Sequence, residues 1–138
     1  MDILVAFDDS DPAWEALEFA LEEHPEADVT VLHVINPYDT SYGEAAQFGL
    51  ESVIEARREE IDAVFEKARE AADDHDGAFE TETVVGEPAR EIVSYLEDEP
   101  VDRVFVGSHG RSGLSRVLLG SVAERLVRRA PVPVTVVR

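Results

Sequence analysis

Short apolar runs alternate with longer amphipathic stretches from one end of this 138-residue chain to the other. Residues 2–7 form the first run, ended by Asp8-Asp9-Ser10. Pro12 then opens a helical spacing through Trp14, Leu17, Ala20 and Leu21, which Ser10 or Asp11 can cap. Val29 to Ile35, rich in β-branched residues and stopped by Asn36-Pro37, predicts a second strand. After a polar loop from Asn36 to Gly43, a long helical pattern sets Leu50, Ile54, Ile61, Phe65, Ala68 and Ala72 on one face, and Gly77 ends it. Phe79 to Val85 alternates apolar with polar residues, the weakest strand signal in the chain, and predicts an edge strand. Pro88 starts a helix with Ile92, Val93 and Leu96 inward. Val101 to Val106 predicts a fourth strand, Leu118 to Arg129 a fourth helix and Val132 to Val137 a fifth strand.

Strict alternation of five strands with four helices implies right-handed crossovers and a parallel sheet covered on both faces. The expected fold is a three-layer α/β/α sandwich of Rossmann type. The length suits one domain spanning residues 1–138, and no repeat, linker or low-complexity segment interrupts it. The strand order expected for such a sheet is 3-2-1-4-5. Its winding reverses between the first and fourth strands, and ligands bind in the crevice beyond their carboxyl ends. The loops placed there are Asp8 to Ser10 and Gly107 to Leu118.

The second of these loops reads as a phosphate cradle. Gly107-Ser108-His109-Gly110-Arg111-Ser112-Gly113 is followed by Gly120-Ser121, a G-x2-G-x9-G-S spacing. Glycines admit a close backbone approach, Ser108, Ser112, Ser115 and Ser121 add hydroxyl donors, and Arg111 and Arg116 add positive charge. A side chain at Gly110 or Gly120 would fill the volume a phosphate needs or penalise a positive φ. Ser121 falls where a helix presents unpaired N–H groups and the positive end of its dipole. Arg111 fits a phosphate contact and a solvated loop position equally well.

Charge sharpens this picture. The chain has a net charge of −19, with eleven arginines and one lysine, Lys67. An acid excess spread over helices and loops with so little lysine suits a surface hydrated in concentrated salt, and speaks to solubility more than to fold. Residues 1–106 carry a net −24 and residues 107–138 a net +5, with Glu124 the one acid in the latter. The region spared the acidic bias holds the cradle, as anion binding requires, although a buried strand there also leaves fewer surface positions. There is no cysteine, which excludes disulfides, thiol nucleophiles and Cys-based zinc sites. The start of the chain lacks a basic leader and a bilayer-length apolar stretch, so a cytoplasmic protein without a membrane partner is expected, and no nucleic-acid partner is indicated.

Other chemistries fit less well. His24, His33, His75 and His109 lack ligand-like spacing, and no metal-ligating or catalytic residues are assigned. His109 reads as a loop donor or packing residue and His33 as a satisfied core residue. Asp8-Asp9 suits a response-regulator receiver, but the third strand ends in Val85-Gly86-Glu87 without an aspartate and the fifth has no lysine at its end. A flavodoxin or a pyrophosphatase-type ATP enzyme would carry its phosphate loop after the first strand, where this chain has acids.

With these residues in hand, the chain resembles the universal stress protein family, in its ATP-binding branch. The resemblance runs over essentially the whole chain. It is strongest at Ile3 to Ser10, Val31-Leu32-His33-Val34, Val106 to Gly110, Leu118 to Val122 and Pro133 to Val137. It implies an adenine nucleotide alpha hydrolase-like fold with ATP at the carboxyl edge of the sheet. Asp8 would lie beside the adenosine and Val34 would meet adenine through its backbone. Gly107, Ser108, Gly110 and Arg111 would line the ribose and phosphate approach, and Gly120, Ser121 and Val122 would hold the phosphates. Mg2+ or Mn2+ would bind through the phosphates. The last strand, residues 132–138, has no following helix to shield its edge, and both this and the resemblance imply a two-fold dimer through it. The expected role is a regulatory ligand in the stress response. A slow ATPase, with Asp9 or His109 orienting water, and a nucleotide-free interaction module remain as alternatives.

Overall fold

The computed structural model describes residues 1–38, 49–110 and 118–138. Its elements run β1 (Asp2–Ala6), α1 (Asp11–Glu23), β2 (Asp28–Ile35), α2 (Leu50–Ala71), β3 (Phe79–Val85), α3 (Pro88–Asp98), β4 (Arg103–Gly107), α4 (Ser121–Arg129) and β5 (Val134–Val137). The five strands form one sheet in the order β3-β2-β1-β4-β5, and every neighbouring pair is parallel. The expected three-layer α/β/α sandwich and its 3-2-1-4-5 order are therefore observed. β3 is an edge strand, as its weak alternation predicts, and β5 is the other edge.

Strand alternation divides the core in two. Ile3, Val5, Phe7, Val29, Val31 and Phe105 face α1 and α2, where Leu17, Ile61, Phe65 and Ala68 close over them. Leu4, Ala6, Leu32, Val104 and Val106 face the other way, against Ile92 and Leu96 of α3 and Ala123 and Leu126 of α4. The central strand is thus apolar on both faces, the expected reading of a buried parallel strand.

Local signals explain the boundaries. The Ser10 hydroxyl accepts from the Ala13 N–H at 3.3 Å and caps α1. Glu87 caps α3 in the same way, taking the Arg90 N–H at 2.9 Å, with Pro88 at the first helical position. Three expectations shift by a few residues. The last helix starts at Ser121, not Leu118, because Gly120 takes the N-cap position and Leu118 and Leu119 remain exposed. β4 and β5 start two residues later than expected, at Arg103 and Val134, since Val101 is turned back onto the Glu99 carbonyl and Pro133 has no N–H to pair. At the start of α2, Leu50 is exposed and Val53 packs inward in its place. The polar loop expected over 36–43 lies outside the described residues from 39 onward. Among the described residues, no helix is long and apolar enough to cross a membrane.

Phe65 ties α2 to the end of β1, with its ring centroid 6.4 Å from that of Phe7. Replacing it with alanine is expected to lower unfolding stability by about 3–5 kcal/mol, read from urea denaturation midpoints. A loss below about 1 kcal/mol would mean that α2 does not pack there.

Candidate functional site

Backbone parity at the sheet's carboxyl edge creates the first feature of the site. In β2, even-numbered residues direct their N–H and C=O groups toward β1, as the bond from Phe7 N–H to the Leu32 carbonyl shows (2.9 Å). The next bond of that ladder would run from the Val34 N–H to the Phe7 carbonyl. That carbonyl instead accepts from His33 Nδ1 at 2.8 Å. The peptide groups of Val34 therefore face the crevice above β1, past the end of the β1–β2 ladder.

The loop after β1 forms the next wall. Asp8 Oδ1 accepts from the backbone N–H and the hydroxyl of Ser10, at 3.1 and 2.5 Å. Asp9 takes a left-handed conformation, φ +62°, which aspartate tolerates better than most residues. Its Oδ1 accepts from the Trp14 indole N–H at 2.8 Å, and that indole stands edge-on to Phe7 at 5.1 Å. The two acids thus hold fixed, different positions.

Across the crevice, glycines at and after the end of β4 make close approaches, to backbone at Gly107 and Gly120 and to the end of the Asp8 side chain at Gly110. A methyl group at Gly107 would lie 2.7 Å from the Pro12 carbonyl carbon, one at Gly110 would lie 2.5 Å from Asp8 Oδ2, and one at Gly120 would lie 2.9 Å from His109 Cα. Ser108 is buried beneath. Its N–H donates to the Val137 carbonyl at 2.8 Å, its carbonyl accepts from the Gly120 N–H at 2.6 Å, and its hydroxyl lies 3.1 Å from His109 Nδ1. The bond from the Gly120 N–H docks the start of α4 against the end of β4. Among the described residues no side chain caps α4 at its Gly120 N-cap, so the N–H groups of its first turn are offered to an anion.

These walls enclose a cleft of about 640 Å³, within the usual range for small-molecule sites. Asp8, Val34, Gly107, Gly110, Gly120, Ser121 and Val122 all line it. Ser108 lies below the surface and Arg111 lies outside the described residues. Its composition is uneven. Ala6, Leu32, Val34, Pro88, Ile92, Val122 and Ala123 make an apolar slot on the α3–α4 side, while Asp8, Gly110, Gly120 and Ser121 make a polar rim. Arg57 and Glu60 of α2 also reach the cleft, with Arg57 Nη1 3.4 Å from both Glu60 carboxylate oxygens. Among the described residues, no group of three or more acids and histidines is arranged to hold a metal ion.

Sequence reasoning did not find Glu87. It lines the cleft, and its Oε1 accepts from Arg125 Nη1 of α4 at 2.6 Å while Oε2 caps α3. Burial pushes its carboxyl up, but the bonds from the Arg90 N–H and the Arg125 guanidinium outweigh that and hold it below the usual carboxylate range. The available signal was Glu87-Pro88 at a helix start; its partner, thirty-eight residues away, had none. His33, expected as a core residue, is half-buried and borders the cleft.

A family model for the universal stress proteins matches residues 1–138. The chain belongs to the universal stress protein family. The universal stress protein MJ0531 of Methanocaldococcus jannaschii is 36% identical over 99% of this chain and 81% of its own length. The solved structure of MJ0577 from the same organism matches with a TM-score of 0.86 and 31% identity, over 99% of this chain and 94% of that one. The universal stress protein of Archaeoglobus fulgidus, solved in complex with dAMP, matches with a TM-score of 0.68 and 26% identity, covering 100% of this chain and 98% of its own. The architecture of this universal stress protein is thus that of its solved relatives.

The Glu87–Arg125 pair is more than a third exposed on both sides, so its worth is modest. Because the folded state depresses the Glu87 pKa, the stability from this pair is fully present above the ordinary carboxylate range and is lost as pH falls through the folded value. Arg125→Ala is expected to cost at most about 1 kcal/mol at pH 7, and the deficit should shrink as pH is lowered toward 3. Urea midpoints of both proteins across that range check this, and a deficit independent of pH would contradict it.

Proposed function

We propose that the cleft binds an adenine nucleotide, ATP with Mg2+ or Mn2+ held through its phosphates, as a regulatory ligand of a cytoplasmic stress-response protein. The observation that carries this reading is the meeting, in one cleft, of an apolar slot bordered by the Val34 peptide with a glycine-floored rim at the uncapped start of α4. A purine is flat and apolar with hydrogen-bonding edges, and suits the slot. Phosphates suit the rim, where backbone N–H groups and the helix dipole meet them. The dAMP bound by the Archaeoglobus relative supports the choice of ligand class.

In this reading the Val34 N–H and C=O face the base, Asp8 accepts from the ribose side, and Gly107 and Gly110 leave room for the sugar and phosphates. Gly120, Ser121 and Val122 take the phosphates, and Arg111 adds charge. Ser108 acts by holding Gly120 in place. We favour retention over hydrolysis: the start of α4 supplies phosphate donors, whereas Asp9 Oδ1 is engaged by Trp14 and His109 Nδ1 by the Ser108 hydroxyl, which leaves Asp9 Oδ2 and His109 Nε2 as the atoms that could orient water.

The reading includes a dimer through β5, which the same parity supports. Bonds from Val104 N–H to the Pro133 carbonyl and from Ser108 N–H to the Val137 carbonyl turn the odd residues of β5 toward β4, so Val134 and Val136 present their peptide groups outward. Val127 of α4, the helix that packs against β5, is exposed. A second copy satisfies such an edge by pairing with it. The acid excess is read as salt adaptation.

The nucleotide reading is tested by denaturing purified protein and identifying what is released, then titrating the apo protein with ATP and Mg2+ by calorimetry. ATP is expected to bind without release of inorganic phosphate. Gly110→Ala, whose new methyl displaces only the end of the Asp8 side chain, is expected to keep the fold and weaken ATP by about tenfold or more; wild-type protein that binds no adenine nucleotide sinks the reading. Sedimentation is expected to give a dimer that Val136→Pro, lacking the outward N–H, converts to monomer, and the melting temperature is expected to rise from about 0.1 to 2 M KCl as the acids are screened. A wild-type monomer, or a melting temperature that falls with salt, would contradict the respective claim.

A further inference from the structure

On the side of the cleft walled by α3 and α4, one ionised side chain lines the apolar slot among the described residues, and that is Glu87, the N-cap of α3. It immediately precedes Pro88 and stands one turn before Ile92, both of which form the slot with Val34 and Val122. We infer that the Glu87 carboxylate reads the base edge, selecting a purine that carries a 6-amino group over one that carries a 6-keto group. The inference rests on the nucleotide reading of the cleft and adds a specificity determinant to it.

The chemistry follows from counting donors and acceptors. An exocyclic amine offers two N–H groups. The Val34 carbonyl, turned into the crevice by strand parity, takes one, and the second needs another acceptor on the cleft wall. A carboxylate offers about four acceptor positions, and the protein engages Glu87 through the Arg125 guanidinium and the backbone N–H groups of Arg90 and Ala89. Capacity for a ligand donor remains. A 6-keto purine instead brings a carbonyl oxygen against this carboxylate, an acceptor facing an acceptor. The penalty arises from leaving those groups unpaired in a partly dry slot, which discriminates more strongly than shape alone.

Two of its protein contacts also make the carboxylate a reliable reader. The Arg90 N–H anchors it to the first turn of α3, and Arg125 holds it from α4. Together they keep it ionised, its pKa lying below the usual carboxylate range. A protonated Glu87 would turn one oxygen into a donor and erase the preference. Arg125 is accordingly a positioning residue: it touches Glu87, and acts on the base through it.

The test measures affinities of AMP and IMP, two ligands that differ at the 6-position and in the N1 proton that follows from it. Wild-type protein is expected to favour AMP by at least about tenfold. Glu87→Gln, whose amide can donate to a keto oxygen, is expected to lower the AMP-to-IMP ratio about tenfold while AMP still binds; Glu87→Ser, which retains an N-cap side chain, should lower it as well. Arg125→Gln should lower the ratio by a smaller factor, which loss of α4 stability alone would not do. The remaining preference belongs to the Val34 peptide. An AMP-to-IMP ratio unchanged in both Glu87 variants, with AMP binding intact, overturns the inference and leaves the nucleotide reading standing. A wild-type protein that binds neither ligand overturns both.

Discussion

The site depends on where one hydrogen-bond ladder stops. The β1–β2 ladder ends at the Phe7 N–H, and the Phe7 carbonyl is diverted to His33. Had it continued by one bond, the Val34 N–H would be spent within the sheet and the crevice would lose its floor-level donor. The chain leaves β1 at this point, and the Asp8–Ser10 turn is pinned by Trp14 and by the cap of α1. Asp8 then stands over Gly110, so close that a single methyl would displace it. Ladder end, turn and glycine are one geometric arrangement.

An acidic chain that holds an anion must solve a local electrostatic problem. Asp8, Asp9, Glu60 and Glu87 all line the cleft. Each accepts hydrogen bonds within the protein: from Ser10, Trp14, Arg57 and the Arg90–Arg125 pair respectively. Their charge is thereby directed toward fixed donors, while the start of α4 offers N–H groups that need no side-chain charge at all. Burying one apolar face of the sheet and feeding backbone donors into the cleft are served by the same helix.

Much of this was legible in the sequence because it is written in local rules. Apolar runs ended by acids or prolines located the strands, and alternation with helices settled their parallel pairing. The spacing from Gly107 to Ser121 marked close approaches that the structure places against Pro12, Asp8 and His109. What escaped depends on elements distant in the chain. Glu87 looks like an ordinary helix cap until α4 brings Arg125 to it, and Arg57 and Glu60 look like solvated helix residues until α2 crosses the sheet edge. His33 read as core because strand alternation places every second residue inward; alternation cannot say that the strand outruns its neighbour and leaves that residue at a rim. The start of α4 was placed too early because Leu118 and Leu119 fit a helical period, yet Gly120 supplies the better cap position.

Trp14 is the single tryptophan of the chain. Its N–H is bonded to Asp9 and its ring leans edge-on against Phe7, the residue at which the β1–β2 ladder stops. A single chromophore is therefore coupled to the loop that carries Asp8, without facing the apolar slot itself. The molecule carries its own optical gauge of how that loop is held, one that reads the protein's side of the cleft and needs no label.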